Sequence, residues 1–315
     1  MGLRAATLTV LAAACAASLT AITPAAADTV RLPASIDLPC AGGELHQEAD
    51  WYLPSGRPRG LVWLQHGFAR ASGNVAALAR SLSDAGYLVF TPSLPFLDVH
   101  GCTLQNLGDN TAFLDQVAGL FATANDPTGP LATSLGTAAA SAGRTAPAIP
   151  DRFVFIGHSA GAEAIEYVAH RLHTDSPVAW TGLRGLVLLD PVQSFLGDNT
   201  ATALTDLDPT GLPILSISGP PSACNALASG TTAVRTLLHR TFTGVLLPTG
   251  EHTDAEGESS DLVGELACGV PQPVNATTVA RLTTDWTRSY FDGVSSLDEL
   301  ARDPATAGTV PLAPA

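Results

Sequence analysis

The chain of 315 residues contains no lysine: all 15 basic residues are arginine, against 29 acidic ones, for a net charge of −14. Nucleic-acid binding rests on clustered Lys and Arg that neutralise phosphates, and this balance has the opposite sign, which argues against nucleic acid and against anionic membrane surfaces. Charge is scarce altogether, at 14% of residues, while hydrophobic residues make up 46%. Disorder requires the reverse, low hydrophobicity with high charge, so the chain is a globular one. Beyond the N-terminal region no apolar run approaches the ~18 uninterrupted residues of a membrane span, which argues against stable membrane insertion. Cysteine is sparse, five in all, and the lack of any C-x-x-C spacing speaks against zinc. No internal repeat is visible.

What is present begins with a leader. Met1 to Arg4 carries one positive charge, Ala5 to Ile22 is apolar, and Pro24-Ala25-Ala26-Ala27 ends in an A-x-A pattern before Asp28. This layout predicts a signal peptide over residues 1–27 and a secreted, extracellular protein. No twin arginine is present, so the general export route is expected; Cys15 behind Ala12-Ala13-Ala14 is the alternative, a weak lipid-attachment pattern. Cys15 would leave with the leader, and the remaining Cys40, Cys102, Cys224 and Cys268 are even in number. In an oxidising compartment they read as two disulfides with three pairings available, of which Cys40–Cys102 with Cys224–Cys268 is expected; buried free thiols are the alternative.

Residues 44–53 alternate as an early hairpin strand would. Short apolar runs at 60–65, 87–91, 152–156 and 183–189, continued at 213–218 and 244–247, read as strands buried on both faces of a parallel sheet. Between them, helical spacing occurs at 74–85, 110–122, 162–173, 225–238 and 278–291. Alternation of this kind predicts one α/β domain over residues 28–303, a doubly wound, mostly parallel sheet with helices on both faces. Residues 122–150, rich in Ala, Thr, Gly, Ser and Pro, read as a long surface connection, and residues 304–315 as a flexible tail. From Pro191 to Leu212 there are only 22 residues, too few for a large cap domain, which predicts an open cleft.

The strand Arg152-Phe-Val-Phe-Ile runs directly into Gly157-His158-Ser159-Ala160-Gly161 and then into a helical stretch. A G-x-S-x-G in that context is a nucleophile elbow: the glycines permit a sharp turn that lifts the Ser159 hydroxyl above the sheet. An ordinary Gly-Ser turn is the bland alternative. A serine hydroxyl needs a base to take its proton, and in the strand-elbow-helix arrangement the chain order is Ser, acid, His. His170 and His173 fall on the helix after the elbow, and His239 beside Arg240 reads as solvated surface. His252, in the loop Pro248-Thr-Gly-Glu-His-Thr-Asp after the strand at 244–247, stands where a base is required. The strand at 213–218 is followed by Gly219-Pro220-Pro221-Ser222-Ala223-Cys224, with no carboxylate, whereas Leu186-Val-Leu-Leu-Asp190-Pro191 ends a strand on an acid. Asp190 is therefore expected to orient His252, with Asp198, Asp206 and Asp208 as rivals and a turn-capping role as the alternative. An oxyanion site needs two N–H donors; Ala160 and Phe68 of His66-Gly67-Phe68 are expected to supply them. His66 precedes the serine and reads as loop-shaping.

These residues resemble the α/β-hydrolase superfamily over essentially the whole chain after the leader. Gly157-His158-Ser159-Ala160-Gly161, Leu189-Asp190-Pro191-Val192 and Gly250-Glu251-His252 are similar to the chlorophyllase and platelet-activating-factor acetylhydrolase group, in which the acid also follows the earlier strand. His66-Gly67-Phe68 resembles the oxyanion loop of those enzymes and of cutinase-like polyesterases, although the latter carry their acid at the later position, which is empty here. The resemblance implies a serine esterase, a carboxylic ester hydrolase that is lipase-like and works through an acyl-enzyme.

No cofactor and no metal is expected. The carboxylates of residues 251–261 fit no calcium-loop spacing and read as a solvated acidic loop. Phe68, Phe96, Leu97, Val192 and Phe195 all follow strands at the end where the site would form, so they read either as an apolar substrate pocket or as plain core. The expected partner is a small-molecule, lipid or polymeric ester, and the chain is expected to be a monomer. A secreted serine peptidase of the same fold and a non-catalytic binding protein are the rival functions. Asn275-Ala276-Thr277 is an N-glycosylation sequon.

Overall fold

The computed structural model describes Gly2, residues 29–293 and residues 308–315. The expected signal peptide, Cys15 included, lies outside the described residues except for Gly2, as does residue 28. Among the described residues a single sheet of nine strands is formed: β1 (Val30–Cys40), β2 (Gly43–Leu53), β3 (Leu61–Gln65), β4 (Leu88–Pro92), β5 (Phe153–His158), β6 (Leu183–Leu189), β7 (Ile214–Ser218), β8 (Gly244–Leu246) and β9 (Val310–Leu312). Their spatial order is β1-β2-β4-β3-β5-β6-β7-β8-β9. The strands from β3 to β8 are parallel to their neighbours, while the β1–β2 hairpin and β9 add antiparallel edges.

The near-continuous apolar strands are explained by what covers them. Leu61, Trp63, Phe153 and Phe155 point into one core, Val62, Leu64, Val154 and Ile156 into the other. The first core lies under α2 (Thr111–Ala122), α3 (Pro130–Ser141), α4 (Ala160–Asp175), the short α5 (Pro177–Trp180), α6 (Asn199–Leu207) and α7 (Ser229–Leu237). The second lies under α1 (Ala76–Asp84) and α9 (Pro273–Asp292), with α8 (Leu262–Cys268) near the end of the last parallel strand. A period-2 strand with both faces covered has no polar side to show. This is the doubly wound α/β domain expected from the sequence. Between β6 and β7 only α6 and a single 3₁₀ turn intervene, and α6 packs on α4, so no cap domain stands there.

Two expectations are corrected, and one strand is added. Residues 122–150 are not a plain surface connection: they carry α3, which starts at Pro130 and buries Leu131, Leu135, Ala138 and Ala139. Proline at the first helical turn costs no hydrogen bond, and alanine is the best helix former, so the small-residue composition that suggested a loop favours a helix here. Of the tail expected over residues 304–315, the described part, residues 308–315, carries β9: Val310–Leu312 pairs with β8, and Thr243 Oγ1 donates to Leu312 O. β1 adds to the expected strands: Val30, Leu32, Ala34, Ile36 and Leu38 alternate with Arg31, Pro33, Ser35, Asp37 and Pro39, and the two prolines, which argue against a central strand, are tolerated because β1 is an edge; it pairs with β2 through a two-residue turn at Ala41-Gly42, both with positive φ, the geometry that matches strand twist in a tight hairpin.

The two disulfides form as expected. Cys40–Cys102 ties the end of β1 to the loop after β4, and Cys224–Cys268 ties the loop after β7 to the end of α8. No described helix is long and apolar enough to cross a membrane.

Candidate active site

The elbow is built by main-chain crowding. Ser159 adopts φ +56° and ψ −125° between β5 and α4, a conformation that costs a non-glycine residue energy and persists only where its surroundings over-determine it. Those surroundings are visible at the flanking glycines. A Cβ on Gly161 would stand 2.4 Å from His66 O, and one on Gly157 2.4 Å from Gly161 O. Ser159 N donates to Leu189 O at 2.9 Å, so the turn is also anchored to the next strand.

Asp190 continues that ladder, its N–H donating to Ile217 O at 2.7 Å. It too has positive φ, +40°, which Asp tolerates better than most side chains. Its carboxylate is buried and accepts four hydrogen bonds: His252 Nδ1–H at 2.6 Å, Gly219 N–H at 2.9 Å, and the Asn225 Nδ2 amide at 3.2 and 3.3 Å to its two oxygens. Burial raises the pKa of the carboxyl, but the hydrogen bond and charge of His252, with the Gly219 N–H, outweigh it and hold the group below its usual range. His252 and Ser159 line one cavity of about 240 Å³ together with Gly67, Phe68, Arg70, Thr253, Gly264, Cys224 and Cys268. Of the rival acids, Asp206 is taken up by His170 and His173, Asp208 by His239.

The loop after β3 leans on Ser159. A Cβ on Gly67 would meet Ser159 Cβ at 2.8 Å, so only glycine lets this backbone pass. His66 donates Nδ1–H to Gly67 O at 2.8 Å and is fully buried, which pushes its pKa down to about 4 and keeps it neutral; this is the loop-shaping geometry. Among the described residues no acceptor takes the Phe68 N–H, and Ala160, as the first residue of α4, has a free N–H by position.

Of the five residues named for a substrate pocket, Phe68 lines the cavity and stacks edge-on against Phe96 with ring centroids 5.2 Å apart. Val192 is buried, and its N–H donates to Ser159 O at 3.2 Å. Leu97 and Phe195 stand in solvent. The acidic segment 251–261 is corrected in part: Asp254 and Glu256 are buried. Asp254 accepts from Glu251 N and Gln272 N, closing the turn that carries His252. Glu256 takes both Arg70 Nε and Nη2, at 2.8 and 2.6 Å.

Several supporting residues were not readable from the sequence. Asn225 is saturated: beyond Asp190 it donates to Pro220 O, and its Oδ1 accepts from Ser222 N and Ala228 N, both at 2.8 Å. His158, the residue before Ser159 in the motif, donates Nε2–H to His252 O at 2.9 Å. Burial, then the neighbouring His252, push its pKa down to about 3. Asn275 of the sequon is buried and donates to Thr249 O at 2.7 Å, pinning the loop before His252. Position after Cys224 and Gly157 was the only local mark on Asn225 and His158. Among the described residues no group of His, Cys, Asp and Glu could hold a metal ion.

No family model matches the chain, and no curated protein does. Among solved structures, a dienelactone hydrolase from Anabaena variabilis ATCC 29413 is similar with a TM-score of 0.54 at 17% identity, over 84% of this chain and 99% of that one. An esterase domain from a Rhodothermus marinus protein is similar with a TM-score of 0.48 at 15% identity, over 82% of this chain and 98% of that one. The first likeness, together with the strand order, shows the α/β-hydrolase fold.

Proposed function

We propose that the chain is an exported serine hydrolase that cleaves carboxylic esters. The observation that carries the reading is the 2.6 Å bond from His252 to Asp190 beside a serine in a strained elbow conformation that shares a cavity with the same imidazole. Fold alone does not imply function; the site chemistry does the selecting. Ser159 attacks the ester carbonyl while His252 Nε2 takes its proton, and Asp190 holds the Nδ1–H tautomer and stabilises the imidazolium. The N–H groups of Phe68 and Ala160 receive the oxyanion. His252 then protonates the leaving alcohol, and water, activated by the same base, releases the acid from the acyl-enzyme.

The solved neighbour named a dienelactone hydrolase agrees with hydrolysis as the reaction class. Two disulfides and the leader pattern of residues 1–27 support export into an oxidising compartment. The test is labelling by a fluorophosphonate together with hydrolysis of p-nitrophenyl esters and peptide anilides. Wild type is expected to label and to cleave the esters only, and Ser159→Ala to lose both properties. Ester cleavage that survives in Ser159→Ala would end the proposal.

A further inference from the structure

Glu163 lies one helical turn after Ser159 on α4 and is 1% exposed. Burial raises the pKa of its carboxyl against the pull of its hydrogen bonds. Few buried carboxylates are kept without a task, and the reaction derived above does not use this one. Its Oε2 accepts from Ser194 N at 2.7 Å and from Thr200 Oγ1 at 3.2 Å; its Oε1 accepts from Ser194 Oγ at 2.5 Å and from Asn106 N at 3.5 Å. Asn106 N also donates to Ser194 Oγ at 3.0 Å, and its side-chain amide reaches Asn199 Oδ1 at 3.2 Å. One carboxylate thus joins the nucleophile helix to the loop after β4 and to the loop after β6.

Those two loops carry exposed apolar side chains, as do the segments around Cys224 and α8 on the base side. Phe96 and Leu97 come from the first, Phe195 and Leu196 from the second, with Leu97 71% and Phe195 85% exposed. The first loop meets the cavity through the Phe68–Phe96 contact, and the second meets the nucleophile through Val192 N and Ser159 O. The loops lead into α2 and α6, which cover one core, whereas the turn after His252 packs through Ala255 into the other. The two loops therefore approach Ser159 from elements over one face and the base from an element over the other, with Phe96 reaching the shared cavity through Phe68. The imidazole must hand its proton to the leaving alcohol, so the alcohol lies beside the imidazole and the apolar loops are left to the acyl chain.

We propose that Glu163 is a positioning residue for acyl-chain selection: its carboxylate fixes the loops after β4 and β6 as an apolar shelf that takes the extended acyl chain of an ester. The proposal rests on the esterase reading. It names the substrate class as esters of medium or long acyl chains, whose apolar length gains from the shelf where an acetyl group cannot.

The experiment compares p-nitrophenyl octanoate with p-nitrophenyl acetate, which share a leaving group, on wild type, Glu163→Gln and Ser194→Ala. Leaving one buried donor of the knot unpaired is expected to lower kcat/KM for the octanoate about tenfold in Glu163→Gln, mainly through KM, while the acetate changes less than about twofold. Ser194→Ala, which removes only a hydroxyl, shifts the ratio in the same direction and decides the question if Glu163→Gln does not fold. Parallel loss on both esters, or an unchanged ratio in a folded variant, overturns the proposal. Fluorophosphonate labelling of both variants at wild-type rate separates this failure from that of the esterase reading, which would show as no labelling of wild type at all.

Discussion

At the tip of β5 the position of Ser159 is set by main-chain atoms of two adjacent loops, whereas His252 and Asp190, 62 residues apart, are set by side chains that reach across the end of the sheet. On the serine side the constraints are steric: Gly157, Gly161 and Gly67 leave no room for a Cβ, and the turn has one conformation open to it. On the base and acid side they are hydrogen bonds. Asn225 and Gly219 hold Asp190, and His158, Asp254 and Asn275 hold the loop around His252. The Cys224–Cys268 disulfide joins the two, since Asn225 follows Cys224 and Gly269, whose carbonyl accepts from Thr253 Oγ1, follows Cys268. Steric placement fails all at once, while hydrogen-bonded placement fails by degrees, because a lost partner costs a bounded amount.

The contrast is sharpest in Asp190→Asn. Asn tolerates the positive φ of this position as well as Asp does, so the fold is expected to keep its melting temperature within a few degrees. The amide leaves the imidazole in the wrong tautomer, and kcat is expected to fall by about 10⁴-fold. A rate within tenfold of wild type would remove Asp190 from the mechanism. Gly161→Ala is the counterpart on the steric side. Its methyl would meet His66 O at 2.4 Å and Gln65 O at 2.8 Å, both backbone atoms that cannot swing away. A loss of more than about 4 kcal/mol is expected, read as a collapsed urea midpoint rather than as a kinetic defect. A stable, inactive Gly161→Ala would contradict the steric account.

The last effect concerns pH. His66 and His158, one on each side of the comparison, are kept neutral by burial, with pKa values near 4 and 3. In the unfolded chain they take up protons as pH falls through about 6.5, while the folded protein does not. The unfolded state therefore binds more protons between those values, and stability falls as pH drops from about 6.5 towards 4, by up to about 1.4 kcal/mol per pH unit for each histidine. Urea midpoints measured at pH 7.5, 6 and 5 are expected to decrease in that order, and a midpoint that does not change with pH would show that neither ring is held neutral.

Much of this was legible in the residues alone, and the reason is locality. An apolar strand running into Gly157-His158-Ser159-Ala160-Gly161 and then a helix is a statement about neighbours, and the sterics that make the elbow act over that same short range. Asp190 was found because it ends a strand, and His252 because it follows one, and the structure brings them within hydrogen-bond reach. The helix over Pro130–Ser141 was hidden because its composition is shared by loops, and the acidic residues Asp254 and Glu256 were misjudged because charge says nothing about a buried arginine or backbone N–H waiting elsewhere in the fold.

The sequence by itself determined the alternation of strands and helices, the elbow at Ser159, the order in which Ser159, Asp190 and His252 follow one another at strand ends, and an even set of cysteines. Each of these rests on spacing, local sterics or counting. Only the tertiary structure decided that Asn225 would hold the acid, that His158 would reach the carbonyl of His252, that the sequon at Asn275 would be buried, and that Glu163 would knot two loops. Those bonds join residues far apart in sequence, and a polar side chain carries no local sign of the partner that folding will bring to it.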